Sequence, residues 1–294
     1  MTLRRRRTVP DEDAAAGVLR LAVLLQAGLA PMRAWALAAD SGDPVAARVG
    51  AEVDGGADLT TAISAQGGPW REVASAWSIA ATVGAPLADT LRGVSAALRD
   101  AQEAADDVRV ALAEPAGTAR LMAWLPLVAV ALGAALGFDT LTTLVLNPLG
   151  IACLVAGAAL IVGAHRWTAA LVRRAQPAPG IPGLSAELLA IALSGGVSLD
   201  RARDVVVRAS GAAPDEEVER VLELSRRAGV PAVELLRASA SLARNRARVE
   251  GRLRAAKLAS RLLLPLGVCT LPAFLLLGVA PMLLSVMSTM SLSL

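Results

Sequence analysis

The chain has 294 residues, 55% of them apolar, with a positive mean hydropathy and a formal charge of +3; it is too apolar for two water-soluble domains of ordinary size, so part of it must lie in lipid. Only 2% is aromatic, and its arginines interleave with acids, so little is available to stack on bases and nucleic acid is a poor partner. Lys257 is the single lysine and stands in Ala255-Ala256-Lys257-Leu258, which excludes a Walker A loop and with it a P-loop ATPase.

In chain order, the arginine run at 4–7 is followed by Asp11, Glu12, Asp13 and Arg20. These charges leave no uninterrupted apolar stretch of the kind a signal peptide needs, so the opening reads as a membrane-proximal basic tail. Residues 14–118 carry helical spacing without strand alternation, broken at Gly28-Leu29-Ala30-Pro31, Ser41-Gly42-Asp43-Pro44 and Gly67-Gly68-Pro69, and predict a cytoplasmic bundle of helical hairpins. From Pro86 onward, Leu87, Leu91, Val94, Leu98, Ala101, Ala105, Val108 and Leu112 recur at steps of three and four, giving one long helix with an apolar face. Pro115 is expected to kink it where it feeds the membrane.

Residues 121–138, 148–164 and 262–287 hold no charged side chain, and each is long enough to cross a hydrocarbon core of roughly 30 Å as a helix. Basic residues orient them, because Lys and Arg near membrane ends stay on the cytoplasmic side. Arg120 precedes the first span; His165, Arg166, Arg173 and Arg174 follow the second; Arg252, Arg254, Lys257 and Arg261 precede the third. The loop 139–147 and the tail 288–294 have none. The expectation is a multi-pass membrane protein with its N-terminus in the cytoplasm and its C-terminus outside. Cys153 and Cys269 lie within spans and read as small packing residues.

After a Pro/Gly linker at 175–183, residues 184–261 form a second cytoplasmic helical bundle. It repeats the first. Leu25-Gln26-Ala27-Gly28-Leu29-Ala30-Pro31-Met32-Arg33-Ala34 aligns with Leu193-Ser194-Gly195-Gly196-Val197-Ser198-Leu199-Asp200-Arg201-Ala202, and Gly84-Ala85-Pro86-Leu87-Ala88-Asp89-Thr90-Leu91-Arg92 with Gly229-Val230-Pro231-Ala232-Val233-Glu234-Leu235-Leu236-Arg237. The offset in numbering narrows from the first landmark, Gly28 to Gly196, to the second, Gly84 to Gly229, so the second copy is the shorter between them. The piece it lacks corresponds to the region 45–64. The fold class is therefore an all-α membrane protein with two repeated cytoplasmic bundles, the second shortened, and three transmembrane helices.

Chemistry is hard to place on this pattern. His165, the single histidine, sits at a membrane flank and reads as an interfacial anchor; no Cys/His spacing fits zinc and no Gly-x-Ser-x-Gly elbow occurs. Two acidic runs remain. Asp215, Glu216, Glu217 and Glu219 open a helix after Pro214, where the positive helix end accounts for them. Asp100, Glu103, Asp106 and Asp107 lie along the long helix, and adjacency in sequence does not make them a hard-cation site. No catalytic, cofactor-binding or metal-binding residue is assigned. Membrane transport is the alternative class, but no ionisable group interrupts the spans to mark a polar path, whereas Gly133-Ala134-Ala135-Leu136-Gly137 and Gly157-Ala158-Ala159 suit close helix packing.

The order helical domain, two spans, helical domain, one span, with Leu-x-x-Gly-x-x-x-x-x-Ala opening each copy and the Gly-x-Pro phrase starting its long helix, resembles the type II secretion system F domain family. The text from Gly84 to Leu91, the Arg/acid-rich helix after it and Pro126 look most like the branch serving tight-adherence (Tad, or Flp) pili. The resemblance implies an inner-membrane platform subunit, not an enzyme, whose partners are a hexameric secretion or pilus assembly ATPase, pilin or pseudopilin subunits, membrane lipid, and a paralogous platform protein or further copies of itself. Many members carry Gly-Glu before the long helix; here those positions read Gly84-Ala85 and Gly229-Val230. Asp89 with Arg92 and Glu234 with Arg237 match between the copies and are the candidate partner-binding residues. Each pair is spaced i, i+3, so a local helix ion pair is the simpler account.

Overall fold

The computed structural model describes residues 11–135, 147–175, 180–281 and 283, which form helices joined by short turns, with no strand among the described residues. In chain order they are α1 (Asp11–Gln26), α2 (Pro31–Asp40), α3 (Pro44–Asp54), α4 (Leu59–Ala65), α5 (Trp70–Val83), α6 (Leu87–Ala135), α7 (Pro148–Ala175), α8 (Leu184–Ser194), α9 (Leu199–Ser210), α10 (Glu216–Ala228) and α11 (Ala232–Pro265). A helical run with two π segments follows α11. The chain divides into two compact units, Met1–Ala104 with Ala178–Val249 and Ala105–Pro177 with Glu250–Leu294.

Helix ends in the first unit fall where short polar side chains supply the missing acceptors. Asp43 Oδ1 accepts from the Val45 and Ala46 N–H groups at 2.9 and 3.1 Å, with Pro44 filling the first helical position. Asp58 caps α4 through Thr60 N–H at 3.0 Å, and Asp215 caps α10 through Val218 N–H at 2.9 Å. The acidic run behind Asp215 is thus a helix start, as its position after Pro214 indicates. Gly84 and Gly229, which the sequence alignment pairs, end α5 and α10 in the left-handed region with φ of 76° and 69°, which a side chain would strain. Gly28 and Gly196, the other matched pair, close equivalent turns, each donating its N–H to the carbonyl three positions back at 3.0 Å.

One hydrophobic core runs from Ala14 to Ala240 and draws on residues from 14–98 and 186–240. Trp35 is its centre on the α2 side, with ring centroids 6.1 Å from Trp70 and 6.2 Å from Trp77 in tilted arrangements. The apolar stripe of α6 is buried at Leu91, Val94, Leu98 and Val108, while Ala105 is exposed. Two close approaches fix where α6 and α11 pass the chain before them. Ser95 Oγ of α6 donates to the Ala15 carbonyl of α1 at 2.8 Å. A Cβ built on Gly183 would lie 2.7 Å from the Ala240 carbonyl oxygen, so only glycine lets the chain pass α11 there. Helices α3 and α4 are tied by Gln66, which accepts from Arg48 Nε at 2.7 Å and donates to Glu52 at 3.1 Å.

In the second unit, Pro148–Arg173 and a window within Ala232–Val279 are long and apolar enough to cross a membrane. Only 17% of the most apolar window of the first is buried, and Leu149, Ile151, Val155 and Val162 stand exposed, as lipid-facing side chains do. Of the three expected spans, 121–138 lies on α6 as far as Ala135 and its remainder falls outside the described residues; two candidates, not three, are found among those described. The helix carrying the expected span 148–164 continues to Ala175, so His165 sits within α7, its Nδ1 3.1 Å from the Ile161 carbonyl oxygen. Leu258 and Leu262 of α11 pack with Leu171 and Val172 of α7. A Cβ on Gly157 would lie 2.6 Å from Leu277 Cγ, so the small residue seats a leucine knob.

The π segments Leu266–Thr270 and Leu275–Val279 have a local cause. Pro272 and Pro281 lack N–H groups, and the carbonyls they deprive, those of Val268 and Leu277, lie inside the two segments. Widening from i+4 to i+5 pairing lets such a carbonyl reach the next available donor, which matters where no water can replace it. The loop 139–147 save Asn147, the linker residues 176–179, the arginine run at 4–7 and the tail 288–294 fall outside the described residues.

Candidate functional site

Helices α6 and α11 take part in both units and run in the same direction where they pair in the first. Arg244 Nε donates to Asp100 Oδ2 at 3.0 Å, and Arg248 Nη2 reaches Asp100 Oδ1 at 3.3 Å and Glu103 Oε2 at 2.7 Å. In the second unit, Arg252 meets Asp107 at 2.8 Å. Arginines spaced i, i+4, i+8 therefore engage an acidic face of the other helix in a steady register, Arg244 on Asp100, Arg248 on Glu103 and Arg252 on Asp107. The run that a metal reading would have used at Asp100, Glu103 and Asp107 is absorbed by guanidinium groups, and no group of three His, Cys, Asp or Glu placed to hold a metal occurs among the described residues.

Toward the starts of these helices, in the first unit, lies an open pocket of about 380 Å³. Asp89, Thr90, Arg92, Gly93 and Ala96 of α6 form one wall; Glu187 and Ile191 of α8, with Arg237 and Arg244 of α11, form the rest. Three of the four candidate residues thus converge on one cavity from the starts of two helices that are far apart in sequence. The fourth, Glu234, is 3.5 Å from Arg237, and Asp89 is 3.7 Å from Arg92. Both are long, exposed i, i+3 contacts, which hold their partners only weakly.

Glu187 and Arg244 supply the buried part of the site and were not singled out by the sequence. Glu187 keeps 9% of its side-chain surface and Arg244 12%; Glu187 Oε2 is 3.5 Å from Arg244 Nη1, a charge contact without a hydrogen bond. Glu187 Oε1 lies over Gly93, where a Cβ would stand 2.9 Å from it. The available signal was a lone carboxylate within Leu184-Ser185-Ala186-Glu187-Leu188-Leu189-Ala190-Ile191: a charge on a helix buried from Ala186 to Ala192 needs a counter-charge.

Fold and site define a helical protein with membrane-length apolar helices and a charged, aromatic-poor pocket where two long helices begin. Residues 18–134 match the family model described as type II secretion system (T2SS), protein F. The matched segment starts in α1 and ends in α6, so it holds the pocket wall from Asp89 to Ala96. No curated protein matches the chain.

Proposed function

We propose that this chain is the multi-pass inner-membrane platform subunit of a type II secretion or Tad-type pilus assembly machine, coupling a cytoplasmic hexameric ATPase to the movement of pilin or pseudopilin subunits. The observation that carries this reading is the match to the T2SS protein F family over a segment whose last helix, α6, extends from the helical unit into apolar sequence. The motor belongs to another chain. This one supplies a docking face around Asp89, Arg92, Glu234 and Arg237 and two long helices held side by side by the Arg/acid ladder. The duplicated segments, 14–118 and 184–261, are repeats of one unit; matching turns at Gly28 and Gly196, matching caps at Gly84 and Gly229, and the corresponding contacts at Ser95 and Gly183 support that view. Residues 121–138 provide a third span alongside 148–164 and 262–287, and the basic flanks keep the N-terminus and both segments cytoplasmic.

The test is mild-detergent affinity purification of the tagged chain from its native membrane, with partners identified by mass spectrometry. Recovery of a secretion ATPase and pilin-like subunits is expected. A clean membrane preparation containing neither would refute the platform reading and favour a transporter or an unrelated scaffold.

A further inference from the structure

Two contacts set how α7 pairs with α11 and the helical run after it. Leu171 and Val172 pack with Leu258 and Leu262, and Gly157 seats Leu277. Numbering falls along α7 as it rises along the other helix, so the two are antiparallel. Arg166 lies five residues from Leu171 toward Gly157, about 7 Å along the axis. That sets it beside the uncharged run that begins at Leu262, rather than level with Lys257 and Arg261.

No carboxylate of this chain is available there. None occurs from Pro148 to Ala175, after Glu250, or in 121–138. Arg252 and Arg254, farther out, are paired with Asp107 and Glu250 at 2.8 and 2.7 Å. Arg166 and Arg173 are exposed and make no hydrogen bond or ion pair with any described residue. An arginine left unpaired at the edge of the hydrocarbon is costly, and an anion relieves it.

The face that carries these two arginines selects the anion. Val155, Ala159, Val162, Arg166, Ala169 and Arg173 recur at steps of three and four, so they share one side of α7, and all six are exposed. The first half of this face is apolar, as an acyl chain requires. The second half sets two guanidinium groups about 10 Å apart along the axis, with the small Ala169 between them. Their long stems reach inward across that gap, and planar forks suit phosphate oxygens.

We infer that this face of α7 holds one anionic phospholipid, its phosphate between Arg166 and Arg173 and an acyl chain along Val162, Ala159 and Val155. The inference rests on the reading of α7 as a membrane span with Arg173 toward the cytoplasm. A zwitterionic headgroup would bring a cation to two unpaired cations, so an anionic lipid is favoured. A free phosphate would leave the apolar half of the face uncovered. Trp167, 41% exposed beside Arg166, adds an amphipathic ring of the kind found at headgroup level.

Native mass spectrometry of the full chain, released from nanodiscs of equal phosphatidylglycerol and phosphatidylcholine in the presence of inorganic phosphate, reads the site. One phosphatidylglycerol should remain bound, in at least fivefold excess over phosphatidylcholine. Arg166→Gln/Arg173→Gln should lose that adduct at least fivefold. Lys257→Gln/Arg261→Gln, which removes as much basic charge from the same flank, should keep it; tryptophan-detected melting controls folding in both. Equal retention of the two lipids, or equal loss from the two variants, would overturn the site and leave only general attraction of basic flanks to the membrane.

A second measurement separates the lipid site from the span on which it rests. Val162→Cys is treated with a water-soluble maleimide in the same nanodiscs, against the parent chain, whose Cys153 and Cys269 set the background. Protection of position 162 is expected. Full labelling would overturn the span reading and the lipid site with it, whereas protection without a phosphatidylglycerol adduct would overturn the lipid site alone.

Discussion

Replacing Arg244 with methionine isolates the buried charge contact. Methionine retains an unbranched apolar stem, so packing is largely kept while the guanidinium goes. Asp100 keeps Arg248 at 3.3 Å and is itself 41% exposed, so it loses little. Glu187, 9% exposed, loses the cation 3.5 Å from its Oε2. Breaking a buried pair by removing one partner costs about 3–5 kcal/mol. Protonating an ordinary glutamate at pH 7 costs about 3.7 kcal/mol, which caps the loss. The expected cost is therefore about 3 kcal/mol, or roughly 6–12 °C in melting temperature for a unit of this size. Tryptophan fluorescence is the assay, since Trp35, Trp70 and Trp77 lie in the core of that unit. The double change Glu187→Leu/Arg244→Met should recover most of the loss, because it removes the buried charge as well as its partner. A single variant that melts within about 2 °C of wild type, or a double variant as unstable as the single, would refute the reasoning.

Further predictions concern packing and the ladder. Gly183→Ala should destabilise the chain by more than about 1 kcal/mol, since φ is 76° and the added carbon meets Ala240 backbone; the same melting measurement checks it. Gly157→Leu should loosen α7 from the segment containing Leu277, read as faster hydrogen exchange across 266–279, whereas Gly163→Leu, at a position with open space around it, should not. Reversing Glu103 to arginine should weaken the α6/α11 contact, and adding Arg248→Glu should restore it; cross-linking of cysteines placed at 96 and 241 would report both, and a lack of restoration would show that the ladder does not hold these helices.

Much of the fold was legible because its signals are local. Asp43-Pro44, Pro214-Asp215 and the glycines at 84 and 229 announce helix ends through caps and φ preference, and the spacing from Leu87 to Leu98 announces the buried face of α6, whereas the cap at Asp58 was not singled out. The stripe's continuation through Ala105 was not reliable, because periodicity says where a face would be buried and not whether a neighbour is present to cover it. Two spans were legible from uncharged length, but the π segments before Pro272 and Pro281 were not, since helix pairing within lipid depends on which carbonyls find donors. The candidate site was half legible. Matching positions in the two copies singled out Asp89, Arg92 and Arg237, but Glu187 and Arg244 meet only through the packing of α8 and α11, a contact between distant parts of the chain that no local pattern encodes.

The most direct test of the central claim, that this helical unit is where the motor engages the membrane platform, is site-specific photo-cross-linking in living cells from position 89, which is 66% exposed at the pocket rim. The account predicts an adduct with the hexameric assembly ATPase that disappears when that ATPase is absent. A chain correctly inserted in the membrane that yields no ATPase adduct from position 89 or 234 would contradict it.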